Sequence, residues 1–170
     1  FNLETGQLEG KMIGHEDRIW SLQFSPDGAK LASAGADGNI ILWDAEHYTT
    51  IKKIKSSKSA VWILAFVSPK LVACAGADCI IRIWDIDEAS CLYELHGHKG
   101  VVTDLSYIEE DNILISCSLD ETIHLWDLSN GQSLSQIKTV LPYQDLNLSG
   151  VTGITPPQRE MLIQLGASDR

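Results

Sequence analysis

The sequence predicts an all-β fold of three four-stranded antiparallel blades, a β-propeller fragment with one orphan N-terminal strand and a short C-terminal helix. Trp-Asp recurs at 43–44, 84–85 and 126–127, so the repeat is 41 and then 42 residues long. Gly-His recurs at 14–15 and 97–98, two repeats apart and in the same register. Repeats of about 40–45 residues with four short strands each are typical of propeller blades.

The first repeat shows why each unit predicts four strands. Residues 18–24, RIWSLQF, have strand patterning and are followed by the turn SPDG at 25–28. KLASAG at 30–35 predicts the second strand, ADGN at 36–39 a turn, and IILWD at 40–44 the third strand. The less hydrophobic TTIKKIK at 49–55 predicts the outer strand. Apolar runs such as NIIL and CIIRIW indicate sheets covered on both faces, as blades are within a ring.

These motifs resemble the WD-repeat (WD40) β-propeller family over about residues 1–138. The resemblance implies a hydrogen-bonded tetrad in each blade: the His of Gly-His, a Ser or Thr on the second strand, the Asp of the following turn, and the Trp. The first repeat supplies His15, Ser33, Asp37 and Trp43, and the third supplies His98, Ser116, Asp120 and Trp126.

The middle repeat has an incomplete tetrad. It keeps Asp78 and Trp84, but Ser57 stands at the His position and Cys74 at the Ser position. Because a buried carboxylate and a buried indole N–H both need partners, we expect Ser57→His with Cys74→Ser to raise stability.

The repeats divide the chain into residues 1–10, the outer strand of a preceding blade, and blades at 11–55, 56–95 and 96–138. Aligned on Gly-His, Phe1 takes the position of the Trp and Asn2 that of the Asp. Propellers close with about four to eight blades, so three blades leave apolar faces open. We expect further blades, from the same longer chain or from another copy, to complete the ring.

Residues 139–170 depart from the repeat and form a tail. Thr155 as N-cap, Pro156 at the first helical position and Gly166 as C-cap predict a short amphipathic helix at about 156–165, too short to be stable unless it docks. The segments PYQDLNLSGVTGIT and QREMLIQLGA resemble the end of bacterial, cyanobacterial-type signalling proteins in which a NACHT or NB-ARC ATPase precedes a WD-repeat array. The resemblance implies that the chain is the sensor end of a larger switch.

Composition narrows the classes of partner. The net charge of -10 and the pI of about 4.8 disfavour attraction to nucleic acid or to an anionic membrane surface. Four cysteines without a C-x-x-C pair predict reduced, buried thiols and a cytoplasmic location. Neither a cofactor motif nor a set of metal-ligand spacings is present, and the HGH at 96–98 lacks further ligands nearby.

The function predicted is protein or peptide binding, by a ligand-sensing or autoinhibitory propeller or alternatively by a stand-alone scaffold. Catalysis is disfavoured, because the serine of each His-Asp-Ser set lies within a strand and no G-x-S-x-G elbow exists. Trp20 and Trp62 are either binding anchors or packing residues. The cluster KKIKSSK at 52–58 is either a lysine-protected edge strand or an anion site. The predicted partner-binding face contains Arg18, Trp20, Ala60, Trp62, Val101 and Thr103, flanked by Ala36, Ala77 and Leu119.

Overall fold

A computed structural model describes residues 4–138, 146–165 and 167–169. Three four-stranded antiparallel sheets follow one another along the chain, and in each sheet the strands pair in sequence order. The strands of the first blade are β1 (Ile19–Phe24), β2 (Lys30–Gly35), β3 (Asn39–Asp44) and β4 (Thr50–Lys55). Those of the second blade are β5 (Val61–Phe66), β6 (Leu71–Gly76), β7 (Ile81–Asp85) and β8 (Ser90–Leu95). The third blade consists of β9 (Val102–Ile108), β10 (Ile113–Ser118), β11 (Thr122–Asp127) and β12 (Gln132–Lys138). The predicted all-β architecture with three four-stranded blades is confirmed.

The turn between the second and third strands of each blade has the same backbone shape. Its residue after the Asp adopts a positive φ in all three blades: 71° at Gly38, 64° at Cys79 and 66° at Glu121. Only the first blade places a glycine there, the residue that adopts this conformation without strain. Gly38 is also close to the next blade, since a Cβ on it would lie 2.3 Å from the carbonyl oxygen of Ser57.

Two apolar layers hold the blades together. One layer joins the first and second blades and includes Ala32, Ile40 and Leu42 on one side and Leu64 and Val72 on the other. The other layer joins the second and third blades. Trp84 packs against the first layer and Trp126 lies in the second, so the Trp-bearing faces of the second and third blades each meet the opposite face of the preceding blade. The middle blade is therefore covered on both faces.

The first and third blades leave apolar side chains exposed. Leu22 is 61% exposed and Phe24 60% exposed, and the strand pairing places Phe24 on the same face as Trp43. On the third blade, Leu134 and Ile137 of β12 are more than half exposed. The middle blade buries the residues equivalent to Leu22, Phe24 and Ile137, whereas Leu92, the equivalent of Leu134, is also exposed.

The outer strand predicted over residues 1–10 is not formed in the described part of that range. Residues 4–18 contain no strand. A β-strand requires hydrogen bonds to a neighbouring strand, and no described strand pairs with these residues. Leu8, Gly10 and Met12 instead line an apolar pocket of about 370 Å³ with Trp43. Phe1 and Asn2, aligned with the Trp-Asp pair, lie outside the described residues.

The described tail residues, 146–165 and 167–169, belong to a compact unit of their own. Its helix α1 (Pro156–Gln164) begins with the predicted N-cap: the Thr155 hydroxyl accepts from the Gln158 backbone N–H, and the Gln158 side chain accepts from the Thr155 N–H. No residue of α1 is buried within this unit, and the docking expected from its short length stays a prediction. The predicted C-cap Gly166 and residues 139–145 lie outside the described residues. None of the described helical segments has the length and apolarity that a membrane span requires.

Candidate functional site

The first blade brings all four of its predicted tetrad residues together. His15 Nδ1 lies 3.0 Å from Asp37 Oδ1, and His15 Nε2 lies 2.7 Å from Ser33 Oγ. The Trp43 indole N–H donates to the same serine oxygen at 2.8 Å. The side chains of His15 and Asp37 are 2% and 7% exposed, so the chain of contacts is almost closed to solvent. It connects the entry loop, β2, the β2–β3 turn and β3.

The third blade repeats this arrangement with one additional contact. His98 Nε2 lies 2.7 Å from Ser116 Oγ, and the Trp126 indole N–H donates to that oxygen at 2.8 Å. His98 Nδ1 lies 3.1 Å from Asp120 Oδ2. Thr122 adds a hydroxyl 3.1 Å from His98 Nδ1 and donates to Asp120 Oδ1 at 2.5 Å. The two outer blades therefore contain equivalent networks.

The carboxyl groups of both complete tetrads have lowered pKa values. Burial raises the pKa of Asp37, but hydrogen bonds from Asn39, from the Glu16 backbone N–H and from His15 outweigh burial and hold the pKa well below its usual range. Burial likewise raises the pKa of Asp120, and hydrogen bonds led by Thr122 lower it well below the usual range. Such bonds to the charged form stabilise it in the folded chain.

The Asp-His-Ser contacts have the connectivity of a catalytic triad but not its accessibility. Ser33 is 1% exposed, lies within β2, and its oxygen already accepts the indole N–H of Trp43. A nucleophilic serine must face the substrate and an oxyanion site. These contacts therefore hold strands together and leave no position for a reacting group.

In the middle blade, the indole of Trp84 finds a different partner. Its N–H donates to Ser56 Oγ at 3.0 Å, and Ser56 Oγ lies 3.0 Å from the buried thiol of Cys74. Burial raises the pKa of that thiol to about 12. Ser56 occupies the position of Gly14 in the first blade, where a Cβ would lie 2.8 Å from the Trp43 ring. Trp84 is half-buried, whereas Trp43 is buried.

The carboxylate of the middle blade is satisfied by an arginine. Ser57 donates to Asp78 Oδ2 at 2.9 Å, and Arg82 Nη1 donates to the same oxygen at 2.7 Å. Arg82 Nε also donates to Glu94 at 2.8 Å. Burial raises the pKa of Asp78, but the hydrogen bonds from Arg82 and Ser57 lower it below its usual value overall. The incomplete tetrad is thus replaced by another network.

Sequence reasoning missed both Ser56 and Arg82. Strand pairing places Arg82 opposite Cys74, as Ile41 is opposite Ser33 in the first blade and His124 opposite Ser116 in the third. An arginine inside the apolar run CIIRIW, in the only repeat that lacks the His, was a signal that it neutralises Asp78.

His124 lies at this same position in the third blade and has no hydrogen-bond partner for either ring nitrogen among the described residues. It is 5% exposed and stacks on Trp126, with ring centroids 5.0 Å apart. Burial, together with the nearby His98, lowers the pKa of His124.

The predicted partner-binding face is organised by β-bulges. The register of β1 on β2 shifts between Ile19 and Ser21, so Trp20 is the extra residue of a bulge. Trp62 has the equivalent position in the second blade, and the register of the third blade shifts at the level of Thr103. A bulge re-aims the side chain of its extra residue.

The bulge residues are exposed in all three blades. Trp20 is 50% and Trp62 38% exposed, and their ring centroids lie 6.3 Å apart at an interplanar angle of 42°. They pack on each other while remaining accessible. Beside them, the carbonyls of Arg18, Ala60 and Val101 accept the backbone N–H groups of Ala36, Ala77 and Leu119 at 2.8, 3.1 and 2.9 Å. We call the surface formed by the bulge residues and these carbonyl acceptors the bulge face: Arg18, Trp20, Ala60, Trp62, Val101 and Thr103.

The remaining metal-ligand and thiol candidates are dispersed. No group of three or more His, Cys, Asp or Glu side chains with metal-binding geometry occurs in the part of the chain that the structure describes. His96 is exposed beside Glu94, whereas His98 belongs to the tetrad. All four cysteines are free, but only Cys74 is buried, and Cys91 is exposed. The expectation of a buried thiol is therefore confirmed at Cys74. It is wrong at Cys91, which lies on the outer strand of its blade.

A family comparison agrees with this geometry. The sequence model described as "WD domain, G-beta repeat" matches residues 6–44, 48–85 and 89–127. Each match ends at a Trp-Asp pair, and together the matches cover more than half of the chain. The chain therefore belongs to the WD40 repeat family, which is a family of protein-interaction and scaffold-type domains.

The chain is similar to individual proteins over only part of their length. The chain is 31% identical over 126 residues to telomerase protein component 1 of Rattus norvegicus, covering 74% of this chain and 3% of that protein. It is 31% identical over 132 residues to protein SPA1-related 4 of Arabidopsis thaliana, covering 76% of this chain and 16% of that protein. The solved structure of U3-55K superposes with a TM-score of 0.72 at 25% identity, over 75% of this chain and 41% of that one.

Proposed function

We propose that this chain binds a protein or peptide partner on the bulge face. The observation that carries the proposal is the pair of exposed indole rings, Trp20 and Trp62, which two successive blades present at equivalent bulges. Tryptophan and arginine are enriched among residues that dominate binding energy. Arg18 is exposed next to this pair, and backbone hydrogen bonds within each blade hold the surrounding loops in place.

The proposal is tested by panning a random-peptide library on the 170-residue chain and titrating the enriched peptides calorimetrically. We expect Trp20→Ala and Trp62→Ala each to raise the dissociation constant about tenfold or more, the effect of losing roughly 1.4 kcal/mol. Leu92→Ala is the matched control, because Leu92 is a similarly exposed apolar residue on β8. Equal binding by the Trp variants and the control would overturn the proposal.

Binding rather than catalysis is proposed because both complete His-Asp-Ser sets are buried, with their serine hydroxyls accepting from indole N–H groups. The four free thiols support a reducing, cytoplasmic location. The net charge supports a protein partner in preference to nucleic acid or a membrane surface.

We also propose that further WD40 blades cover the open faces of the first and third blades. Inside the chain, the Trp-bearing faces of the second and third blades each meet the opposite face of the preceding blade. The Trp43 face and the exposed face of the third blade offer the two halves of that same interface. Light scattering of the chain alone and of longer chains containing it tests this proposal: self-association of the chain, lost when more blades are present, is expected. A monodisperse monomer without exposed-surface dye binding would contradict it.

A second candidate is the sensor end of a nucleotide-driven signalling switch. The sequence resemblance of the tail to the end of NACHT or NB-ARC WD-repeat proteins supports it. The tail is also a unit of its own, in which α1 has a complete capping box and Arg159 Nη2 donates to the carbonyls of Leu148 and Val151. The natural polypeptide provides the test. An ATPase with a phosphate-binding loop upstream on the same chain is expected by this candidate, and its absence from the complete polypeptide would leave the scaffold role.

A further inference from the structure

A polar pocket of about 470 Å³ lies in the middle blade beside the hydrogen-bond network of Arg82. In the outer blades the corresponding space holds His15 and His98, whose side chains are 2% and 1% exposed. Ser57 has no imidazole, so the space stays open. The pocket is lined by Lys55, Ser57, Lys58, Asp78, Arg82 and Glu94.

The two carboxylates of this pocket are already paired. Arg82 donates to Asp78 through Nη1 and to Glu94 through Nε, and Ser57 donates a further bond to Asp78. Arg82 Nη2 donates to no acceptor among the described residues. A guanidinium edge of this kind is suited to planar or tetrahedral oxyanions.

Two lysines add positive charge at the same place. In the basic cluster at 52–58, Lys52 and Lys53 are occupied by the carbonyl of Asp87 and the carboxylate of Glu16. Lys55 donates to the carbonyl of Asp37 at 2.6 Å, which leaves its charge without a carboxylate partner. Lys58 is exposed and forms no ion pair with a described residue. With two carboxylates against three cations, the pocket carries a net positive charge on a chain of net charge -10.

We propose that this middle-blade pocket binds one oxyanion, a phosphate or carboxylate group carried by the partner peptide. Ser59 lines the pocket and Ala60 belongs to the bulge face, so one peptide bond joins the two sites. The source of the anion rests on the proposed function, whereas the anion site itself does not. The anion accepts hydrogen bonds from Lys58, Arg82 Nη2 and the Ser59 hydroxyl.

The experiment is a titration of the isotope-labelled chain followed by amide chemical shifts, with four probes used separately: inorganic phosphate, a phosphoserine peptide, and the same peptide with glutamate or serine. We expect a saturable shift at Lys58 with every anionic probe, whereas the serine peptide should shift residues of the bulge face and leave Lys58 unchanged. Lys58→Glu should raise the dissociation constant at least tenfold. The matched control is Lys99→Glu, because Lys99 follows His98 as Lys58 follows Ser57 and changes the net charge equally. Ser57→His, which fills the pocket, should also abolish the shifts.

The outcomes separate the anion site from the proposed function. Equal weakening of inorganic phosphate binding by Lys58→Glu and Lys99→Glu, or inorganic phosphate shifts confined to residues that do not line the pocket, would overturn the anion site. Shifts with inorganic phosphate but no gain for the phosphoserine peptide would overturn the peptide as the source. Loss of peptide binding in the Trp20 and Trp62 variants, with phosphate shifts unchanged, is the result expected if both proposals are right. Phosphate shifts at the pocket without any Trp-dependent peptide binding would refute the proposed function alone.

Discussion

The outer blades and the middle blade meet the same two needs with different residues. Each must supply a partner to a carboxylate in the second turn and to an indole N–H on the third strand. The first and third blades do so through one imidazole and one serine. The middle blade separates the tasks: Arg82 and Ser57 serve Asp78, and Ser56 serves Trp84. The carboxylate and the indole N–H are thus the same in every blade, whereas the residues that form hydrogen bonds with them differ between blades.

The largest expected effect comes from removing the shared imidazole. His98→Ala leaves Ser116 and Asp120 without their common partner inside a buried network, so we expect a loss of about 3 kcal/mol in the free energy of unfolding. The counterpart in the middle blade is Ser57→Ala, which removes one bond to Asp78 and should cost about 1 kcal/mol. Urea denaturation of both variants measures the difference. Equal losses would mean that the imidazole has no special role.

The next largest effect is expected from removing the Arg82 guanidinium, which binds Asp78 where the other blades use an imidazole. Arg82→Met keeps the aliphatic stem but leaves Asp78 with Ser57 and a backbone N–H, and should cost about 2 kcal/mol. Lys70→Met is the control, since Lys70 is 71% exposed and lies 3.5 Å from Asp87, and a surface pair of this kind contributes little. The same denaturation series gives both values. A loss no greater than that of the control would show that Asp78 does not depend on Arg82.

A smaller effect of opposite sign is expected at His124. Replacing it with the residue of the first blade, His124→Ile, removes an unpartnered imidazole and should stabilise the chain by about 1 kcal/mol at pH 7. Because the folded-state pKa of His124 is lowered, the unfolded chain binds its proton more tightly. Stability is therefore lost as the pH falls below about 6.5, the unfolded value. Between pH 7.5 and 5, the free energy of unfolding should depend less on pH for the variant than for the original chain. An equal pH dependence in the two proteins would refute this account.

The smallest effect is expected from Cys74→Ser alone. The hydroxyl retains a contact with Ser56, which already serves Trp84, so the free energy of unfolding should change by less than about 1 kcal/mol. Cys74→Val removes the polar contact and keeps a similar size, and serves as the comparison. A gain above about 1 kcal/mol for the serine would show that Trp84 prefers a partner on the second strand.

Spacing was sufficient to predict what repeats. Trp-Asp and Gly-His predicted three four-stranded blades, and the tetrad residues of the first and third blades meet as the resemblance implied. Spacing could not predict the places where the structure departs from the repeat. The strand expected at residues 1–10 lacks a hydrogen-bonding neighbour among the described residues, and hydrophobic pattern alone does not reveal that. Ser56 and Arg82 act through side chains that approach from a loop and a neighbouring strand, so their roles depend on distances that periodicity does not contain. The bulges behind Trp20 and Trp62 likewise depend on strand register.

The most direct measurement transplants the first blade's residues into the middle blade. Ser57→His with Cys74→Ser, the pair that the sequence alone suggested as stabilising, brings an imidazole into competition with Arg82 for Asp78. The pair should therefore lower the free energy of unfolding by about 1 kcal/mol. Adding Ser56→Gly and Arg82→Ile gives the full set found at Gly14, His15, Ser33 and Ile41, and should restore or exceed the original stability. If the pair alone stabilised the chain as much as the full set, Arg82 and Ser56 would not be the working substitutes for the missing imidazole.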